Sequence, residues 1–323
     1  MKKVAIFHEN ESVSQQRNEF IDFAKGLAIV LMVVGHACLE GGKAVLWLHD
    51  FIYTFHMPFF MIVSGYLFNE AKSYNLQRYA GRKFSSLYLK FILFNVLLIL
   101  LNNVLWNIGI LNADYNFFTY HWHEYSIKEI AAKVAQTQFT FNNPENTGLV
   151  MWFLKDLFVT ALIFACLLKI HRVSENVRWL PPVFLVLAVL SPSFSLPVIG
   201  IMPTRIFCDL FFYSIGYYLR GRNVQISIAG TVVLMALLIF VATYLGFAEL
   251  QYPGGRLNVL RILVVGCVGF MWYAATCRMM YDRANHHTIR LFQVINSHAI
   301  PIIALHVLVF KVTTYAILGG KFL

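Results

Sequence analysis

The sequence predicts an all-α, polytopic transmembrane helix bundle of nine to ten helices. Hydrophobic residues make up 59% of the 323 residues, charged residues only 13%, and the mean hydropathy is +0.63. This composition is too apolar for a water-soluble globular protein. The apolar residues also fall into stretches of about 20 residues, the length that crosses a bilayer core about 30 Å thick.

Nine such stretches follow one another along the chain, and helix-breaking prolines crowd the fifth and sixth. They run from Phe20 to Cys38, Leu46 to Phe68, Phe84 to Trp106, Leu149 to Leu168, Leu180 to Ile199, Arg205 to Leu219, Ile226 to Phe247, Val259 to Met279 and Phe292 to Leu318. We therefore predict a polar tail (1–19), a single transmembrane domain (20–318) and a short tail (319–323). The long connection 107–147 is predicted to hold an amphipathic helix from Ser126 to Gln138, because Ser126 and Glu129 have the spacing of a capping box.

Basic residues set the expected orientation. They occur before the first stretch and after each even-numbered one: Lys2, Lys3 and Arg17; Lys72, Arg78, Arg82 and Lys83; Lys169, Arg172 and Arg178; Arg220 and Arg222; Arg278, Arg283 and Arg290. Because cytoplasmic loops are enriched in Lys and Arg, we expect a cytoplasmic N-terminus and an extracytoplasmic loop at 107–147. This topology accounts for the net charge of +10. No basic motif with aromatic stacking platforms indicates nucleic-acid binding.

Three ionisable residues, Asp22, Lys25 and His36, lie in or beside the first apolar stretch. Their spacings of three, eleven and fourteen residues put them within roughly 60° of one another on a helix. Ionisable residues inside a membrane are costly and usually face a protein interior or a wet cavity, which indicates a chemical site. The alternative is structural: Asp22 and Lys25 form a boundary ion pair, and His36 bonds a neighbouring helix.

The second stretch holds His56, Pro58 and the pair Ser64-Gly65 within a dozen residues. Proline frees the backbone carbonyl four residues earlier, and Ser-Gly permits close contact between helices. On its own, the Ser64-Gly65 pair indicates helix packing.

These motifs, in this order, resemble the bacterial integral-membrane acyltransferase-3 family, in its fucose 4-O-acetylase-like branch. Asp22-Phe23-Ala24-Lys25-Gly26 with Val34-Gly35-His36 is similar to the family's opening signature, and Phe55-His56-Met57-Pro58-Phe59-Phe60 through Ser64-Gly65-Tyr66 to its second motif. Other similar segments are the basic loop with Arg78, Arg82 and Lys83, the block Met151-Trp152-Phe153-Leu154, and Pro301-Ile302-Ile303-Ala304-Leu305-His306 with Phe310-Lys311. The chain departs from the family at Ala299, where Ser or Thr is usual, and in its nine stretches, where ten helices are common.

The resemblance implies a membrane-bound O-acyltransferase, by default an O-acetyltransferase, of the bacterial cytoplasmic (inner) membrane. Cytoplasmic acyl-CoA, by default acetyl-CoA, is the expected co-substrate, and no permanently bound cofactor is expected. The expected acceptor is a hydroxyl of a cell-surface or lipid-linked glycan. The lipid bilayer is the other expected partner, and the sequence leaves a homo-oligomer open.

The predicted site residues combine this resemblance with side-chain chemistry. His36 is the predicted general base, since imidazole titrates near the working pH, while Lys25 and Asp22 orient the first helix or line the donor channel. The residues predicted to bind the donor's phosphates are Arg78, Arg82 and Lys83, although positive-inside topology alone would also put them there. The predicted acceptor-site or chamber-lining residues are His56, Ser64, Trp152, Lys155 and His306.

A proton-coupled transporter or flippase of a small polar or sugar-linked substrate is the alternative function. Intramembrane His, Lys and Asp in proline-interrupted helices suit a carrier, but the two halves show no inverted repeat. A non-catalytic membrane module is a third hypothesis. We expect no metal, because the histidines and the five cysteines lack ligand spacing. If His36, His56 and His306 meet in the outer half, a polar channel should run from Arg78 and Arg82 past Lys25 to His36.

Overall fold

The computed structural model describes residues 3–5, 18–38, 43–111, 122–141, 143–170, 176–191, 200–222, 224–245, 250–251 and 253–318. These residues are predominantly helical, which confirms the predicted helical class. The α-helices are α1 (Glu19–Ala37), α2 (Lys43–Tyr53), α3 (His56–Tyr66), α4 (Glu70–Ser73), α5 (Leu76–Lys83), α6 (Leu89–Asn107), α7 (Ile127–Phe139), α8 (Trp152–Leu167), α9 (Leu180–Leu190), α10 (Pro203–Tyr218), α11 (Ile228–Phe240), α12 (Arg256–Tyr281), α13 (His286–Ser297) and α14 (Ala299–Leu318).

Short helical turns and one strand pair complete the described elements. The π-helical turns are Phe84–Tyr88, between α5 and α6, and Val241–Leu245, after α11; the 3₁₀ turns are Leu149–Met151, before α8, and Val177–Trp179, before α9. Strands β1 (Lys3–Ala5) and β2 (Gln225–Ser227) pair antiparallel, with Val4 opposite Ile226. The sequence did not lead us to expect this pair.

Six helical segments of the described chain are long and apolar enough to cross a membrane. They are Glu19–Ala37, Leu76–Asn107, Leu149–Leu167, Ile228–Leu245, Arg256–Tyr281 and Ala299–Ile317, and they correspond to the first, third, fourth, seventh, eighth and ninth predicted stretches. The fifth and sixth stretches contain helices of 11 and 16 residues, α9 and α10, and residues 192–199 of the fifth lie outside the described chain. The predicted count of nine to ten spanning helices is therefore not confirmed.

The second predicted stretch contains two helices of 11 residues each, α2 and α3. Pro58 has no N–H to donate to the carbonyl of Thr54, so one continuous helix would lose a hydrogen bond at this point. Helix α2 ends at Tyr53 instead, the Thr54 hydroxyl donates to the Phe51 carbonyl at 2.7 Å, and α3 begins at His56. The break puts Tyr53 and His56 on either side of a short turn.

The ninth predicted stretch also contains a break, and its spanning helix begins at Ala299 rather than at Phe292. Pro301 cannot donate to the carbonyl of Ser297, the residue at which α13 ends. A proline in the first turn of α14 costs little, because the first N–H groups of a helix have no partner within it. Phe292 therefore belongs to α13, which packs along α1.

The chain divides into two compact units. The first comprises Met1–Tyr79, Val159–Leu196 and Met202–Ala299, and the second comprises Ala80–Phe158, Pro197–Ile201 and Ile300–Leu323. In the first unit, α3 packs against α10 and α12, and α1 packs against α13. In the second unit, α7 packs against α6.

Glycines allow helix backbones of the first unit to touch. A Cβ added to Gly216 of α10 would lie 1.8 Å from the carbonyl oxygen of Ile62, and one added to Gly65 of α3 would lie 1.9 Å from that of Tyr213. Neither position can hold a larger residue unless the two helices separate. This contact supports the packing interpretation of the Ser64-Gly65 pair.

The second unit contains the predicted amphipathic helix, α7. Its N-cap is Ser126, whose hydroxyl accepts the N–H of Glu129 at 3.2 Å, and this confirms the predicted helix start. Asn103 of α6 fixes the chain just before α7, because its side-chain amide exchanges two hydrogen bonds of 2.8 Å with the backbone of Tyr125. A buried carboxylate, Glu145, accepts the hydroxyl of Tyr125 at 3.3 Å.

We expect Gly216→Ala to lower the free energy of unfolding by about 1 to 3 kcal/mol, because its methyl group must push α3 and α10 apart. The matched control is Gly81→Ala, since nothing lies within 4 Å of a Cβ added to Gly81. That variant should be neutral or stabilising by up to about 1 kcal/mol. Thermal unfolding of the purified proteins in detergent measures both changes, and equal changes would contradict the backbone contact.

The second prediction concerns pH and Glu145. Burial raises the pKa of its carboxyl, so its contribution to stability is complete below the ordinary pKa and is lost as pH rises through the raised value. We expect Glu145→Gln to gain stability relative to the unsubstituted protein as the pH rises above the ordinary pKa of a glutamate, about 4.3. Glu124→Gln, which alters an exposed carboxylate of the same connection, is the control. Identical pH dependence of the melting temperature in both variants would rule out the assigned effect.

Candidate functional site

His36 lies in the last turn of α1 and is only 7% exposed. The neighbouring Gly35 leaves room for the ring of Tyr53, since an added Cβ would lie 3.1 Å from its Cε2 atom. The Tyr53 hydroxyl oxygen is 2.9 Å from Nε2 and 3.0 Å from Nδ1 of His36. The imidazole of His36 is therefore within hydrogen-bonding distance of a hydroxyl from the next helix.

Tyr53 in turn lies close to two further histidine rings. Its ring centroid is 3.9 Å from that of His49 and 4.4 Å from that of His56. Helix α2 puts His49 and Tyr53 one turn apart on the same face, and the break after Tyr53 lets His56 approach the same ring. We call His36, His49, Tyr53 and His56 the His-Tyr cluster.

An acidic residue adjoins this cluster. Nδ1 of His49 is 3.1 Å from Oδ1 of Asp50, whose side chain is 29% exposed. Our sequence reasoning missed His49, Asp50 and Tyr53. The spacing of His49, Tyr53 and His56, which are four and three residues apart, is a helical-face pattern that could have revealed the stack.

Asp22 and Lys25 lie towards the other end of α1, and Lys25 is about 16 Å along the helix axis from His36. Oδ1 of Asp22 accepts a hydrogen bond of 2.8 Å from the side chain of Asn296, which ties α1 to α13. At Gly26 the two backbones touch, since an added Cβ would lie 2.0 Å from the carbonyl oxygen of Phe292. The residues at this end of α1 therefore anchor the helix on its neighbour.

His56 and Ser64, both predicted to line the acceptor chamber, make hydrogen bonds to their own chain segment. Nδ1 of His56 is 3.3 Å from the carbonyl oxygen of Ile52, and His56 is almost fully buried. The Ser64 hydroxyl donates to the carbonyl of Phe60 at 2.7 Å. The structure thus brings His56 to the cluster through Tyr53, whereas a chamber-lining role for Ser64 stays a prediction.

Trp152, Lys155 and His306 lie in the second unit and are buried there. Lys155 donates to the carbonyls of Phe141, at 2.8 Å, and Gly200 and lies 3.9 Å from the carboxylate of Asp156. Nδ1 of His306 is 3.0 Å from the carbonyl oxygen of Ile302, one turn earlier. Trp152 is the first residue of α8. The predicted meeting of His306 with His36 and His56 stays a prediction, as does the channel.

The predicted donor-binding residues lie together on α5. Arg78 and Arg82 are exposed and one helical turn apart, and Lys83 beside them is half-buried. A guanidinium pair on one helix face can bind phosphate oxygens bidentately, and an ammonium group adds a point charge. The arrangement suits a polyanionic ligand that arrives from water.

Within the described ranges, no group of three or more His, Cys, Asp and Glu side chains is arranged to hold a metal ion. The side chains of the His-Tyr cluster are hydrogen-bonding and proton-accepting groups. A neutral imidazole beside a hydroxyl can accept a proton from a substrate hydroxyl and pass it on.

Comparison with known proteins agrees with this chemistry. The model of the acyltransferase-3 family, described as an acyltransferase domain, matches residues 18–322. Nodulation protein NolL of Mesorhizobium japonicum is 42% identical over 60 residues, and nodulation protein NolL of Sinorhizobium fredii is 40% identical over 60 residues; each match covers 17% of this chain and 16% of the relative. No solved structure matches the chain. Because the family model extends over nearly all of the sequence, the protein belongs to the acyltransferase-3 family.

Proposed function

We propose that this protein is a membrane-bound O-acyltransferase, acting as an O-acetyltransferase, that moves an acetyl group from cytoplasmic acetyl-CoA to a hydroxyl of a cell-surface or lipid-linked glycan. The observation that carries the proposal is the buried imidazole of His36, hydrogen-bonded to Tyr53 at the end of α1 in a chain of this family. Among the described residues, six apolar helices long enough to span a bilayer support the membrane setting.

His36 acts as the general base in the proposed reaction. One ring nitrogen of the neutral imidazole takes the proton from the acceptor hydroxyl while the hydroxyl oxygen attacks the thioester carbonyl. The new carbon–oxygen bond forms the ester, the carbon–sulfur bond breaks, and the sulfur of coenzyme A leaves. The imidazolium returns the proton to that sulfur, which restores neutral His36 and releases free coenzyme A.

In this proposal, the donor's phosphates and the general base lie at different depths of the membrane. Exposed Arg78 and Arg82, with Lys83, hold the phosphates at the cytoplasmic surface, because a charged head group cannot enter hydrocarbon. The slender acyl-bearing arm of the donor then extends through the protein towards His36, in the outer half of the membrane. This requires the bacterial inner membrane with the N-terminus in the cytoplasm, as the basic residues predict.

Proteoliposomes with purified protein test the proposal when radiolabelled acetyl-CoA is supplied on the cytoplasmic side and a glycolipid extract of the producing bacterium is included. Label recovered as an alkali-labile ester on the glycan supports acyl transfer. Label that crosses the membrane without attachment supports a carrier instead, and an absence of both contradicts the proposal.

The third prediction is that His36→Ala lowers turnover about 100-fold or more while the protein remains folded, because a positioned general base is worth about 10² to 10⁴ in rate. His287→Ala replaces an exposed histidine of α13 and serves as the control. Turnover of both purified variants is measured at saturating acetyl-CoA. If the His36 variant keeps more than about a tenth of the original turnover, another group is the base.

The fourth prediction concerns the donor. The double variant Arg82→Gln/Lys83→Gln should raise the KM for acetyl-CoA about tenfold with a smaller change in kcat, because contacts remote from the carbonyl contribute binding that is equal in the ground and transition states. Arg283→Gln/Arg290→Gln removes two exposed positive charges elsewhere and should leave the KM unchanged. If both double variants change the KM equally, Arg82 and Lys83 do not bind the donor, and their charges reflect only the positive-inside topology.

A further inference from the structure

The histidine at the end of α1 has a tyrosine as its hydrogen-bonding partner, and that tyrosine contacts two further histidine rings. The ring of Tyr53 lies 3.9 Å from the ring of His49 at an interplanar angle of 30°, and 4.4 Å from the ring of His56 at 63°. Rings at these distances restrict the rotation of the tyrosine about its side-chain bonds. The hydroxyl therefore has a fixed position opposite His36.

This position is close to both imidazole nitrogens. The hydroxyl oxygen is 2.9 Å from Nε2 and 3.0 Å from Nδ1, and the two rings stand almost perpendicular, at 87°. A hydroxyl both donates and accepts, so it can pair with either nitrogen, depending on the tautomer.

We infer that Tyr53 is the positioning residue of His36: its hydroxyl sets the orientation of the imidazole, and the rings of His49 and His56 hold that hydroxyl in place. The inference rests on the proposed role of His36 as the general base. Histidine bases commonly depend on a partner at the second ring nitrogen, which stops the ring from rotating away from the substrate. No covalent step involves Tyr53.

The alternative is that Tyr53 only packs α2 against α1. Tyr53→Phe separates these roles, because it removes the hydroxyl and keeps the ring. The matched control is Tyr273→Phe, since the hydroxyl of Tyr273 donates to the carbonyl of Ala24 in the same unit at 2.8 Å and lies outside the cluster. Both variants lose one hydroxyl that bonds to α1.

The first test measures the turnover of both variants, each as the purified full chain in proteoliposomes. We expect Tyr53→Phe to lower kcat about tenfold with an unchanged KM for acetyl-CoA, and Tyr273→Phe to change neither by more than about twofold. In the His36→Ala background, Tyr53→Phe should cause no further loss, because a residue that acts through another has no effect once that other is gone. Independent, multiplicative losses would overturn the inference and leave Tyr53 a packing residue.

Chemical modification gives a second readout that needs no turnover. Diethyl pyrocarbonate acylates the lone-pair nitrogen of neutral histidine, and peptide mass spectrometry follows the rate at His36 itself. We expect Tyr53→Phe to change this rate severalfold and Tyr273→Phe to leave it unchanged, since only the former alters the partner of the imidazole. An inactive parent protein would refute the proposed function alone, whereas an unaltered rate at His36 in Tyr53→Phe would refute the positioning role whatever the activity.

Discussion

Pro58 has no backbone N–H, and the candidate site depends on the break that this makes in the second apolar stretch. The carbonyl of Thr54 loses its helical partner, α2 stops at Tyr53, and α3 begins at His56. In an unbroken helix, Tyr53 and His56 would be neighbours on one helix face, three residues apart. The break lets the ring of His56 lie 4.4 Å from the ring of Tyr53, which also lies 3.9 Å from the ring of His49.

A broken helix positions side chains reliably only if its two halves are fixed. Here α3 is fixed by backbone contact with α10. Gly65 and Gly216 let α3 and α10 approach until carbonyl oxygens occupy the space of the absent side chains. Gly269 of α12 similarly receives Phe55, at the break itself, since an added Cβ would lie 2.6 Å from its Cβ. Helices in a membrane associate through such close packing, since lipid offers no hydrophobic driving force between them. The glycines thus stabilise the geometry that the proline creates.

The sequence was sufficient for the class of fold and for the cap of α7, because composition and capping are local signals. The catalytic role of His36 stays a prediction. It was insufficient for the number of spans. Hydropathy counts apolar residues without regard to backbone breaks, so it merged α2 with α3, and α13 with α14, across Pro58 and Pro301. The same limitation concealed Tyr53, whose contact with His56 depends on a turn. Asp22 and Lys25 were predicted to share a stripe of α1 with His36, but the rise along the helix separates Lys25 from His36 by about 16 Å and Asp22 by about 21 Å.

The choice of tyrosine as the partner of His36 has a physical reason. A carboxylate at that position would make the imidazole a stronger base, but an ionised group is expensive to bury among apolar helices. A tyrosine hydroxyl is uncharged at neutral pH and needs only hydrogen-bonding partners, which His36 supplies. Asp50, three residues before Tyr53, is partly exposed and bonds His49 instead. In the proposed reaction, Tyr53 therefore orients the base through an uncharged group, and no buried anion lies at that position to hold the proton that His36 takes up.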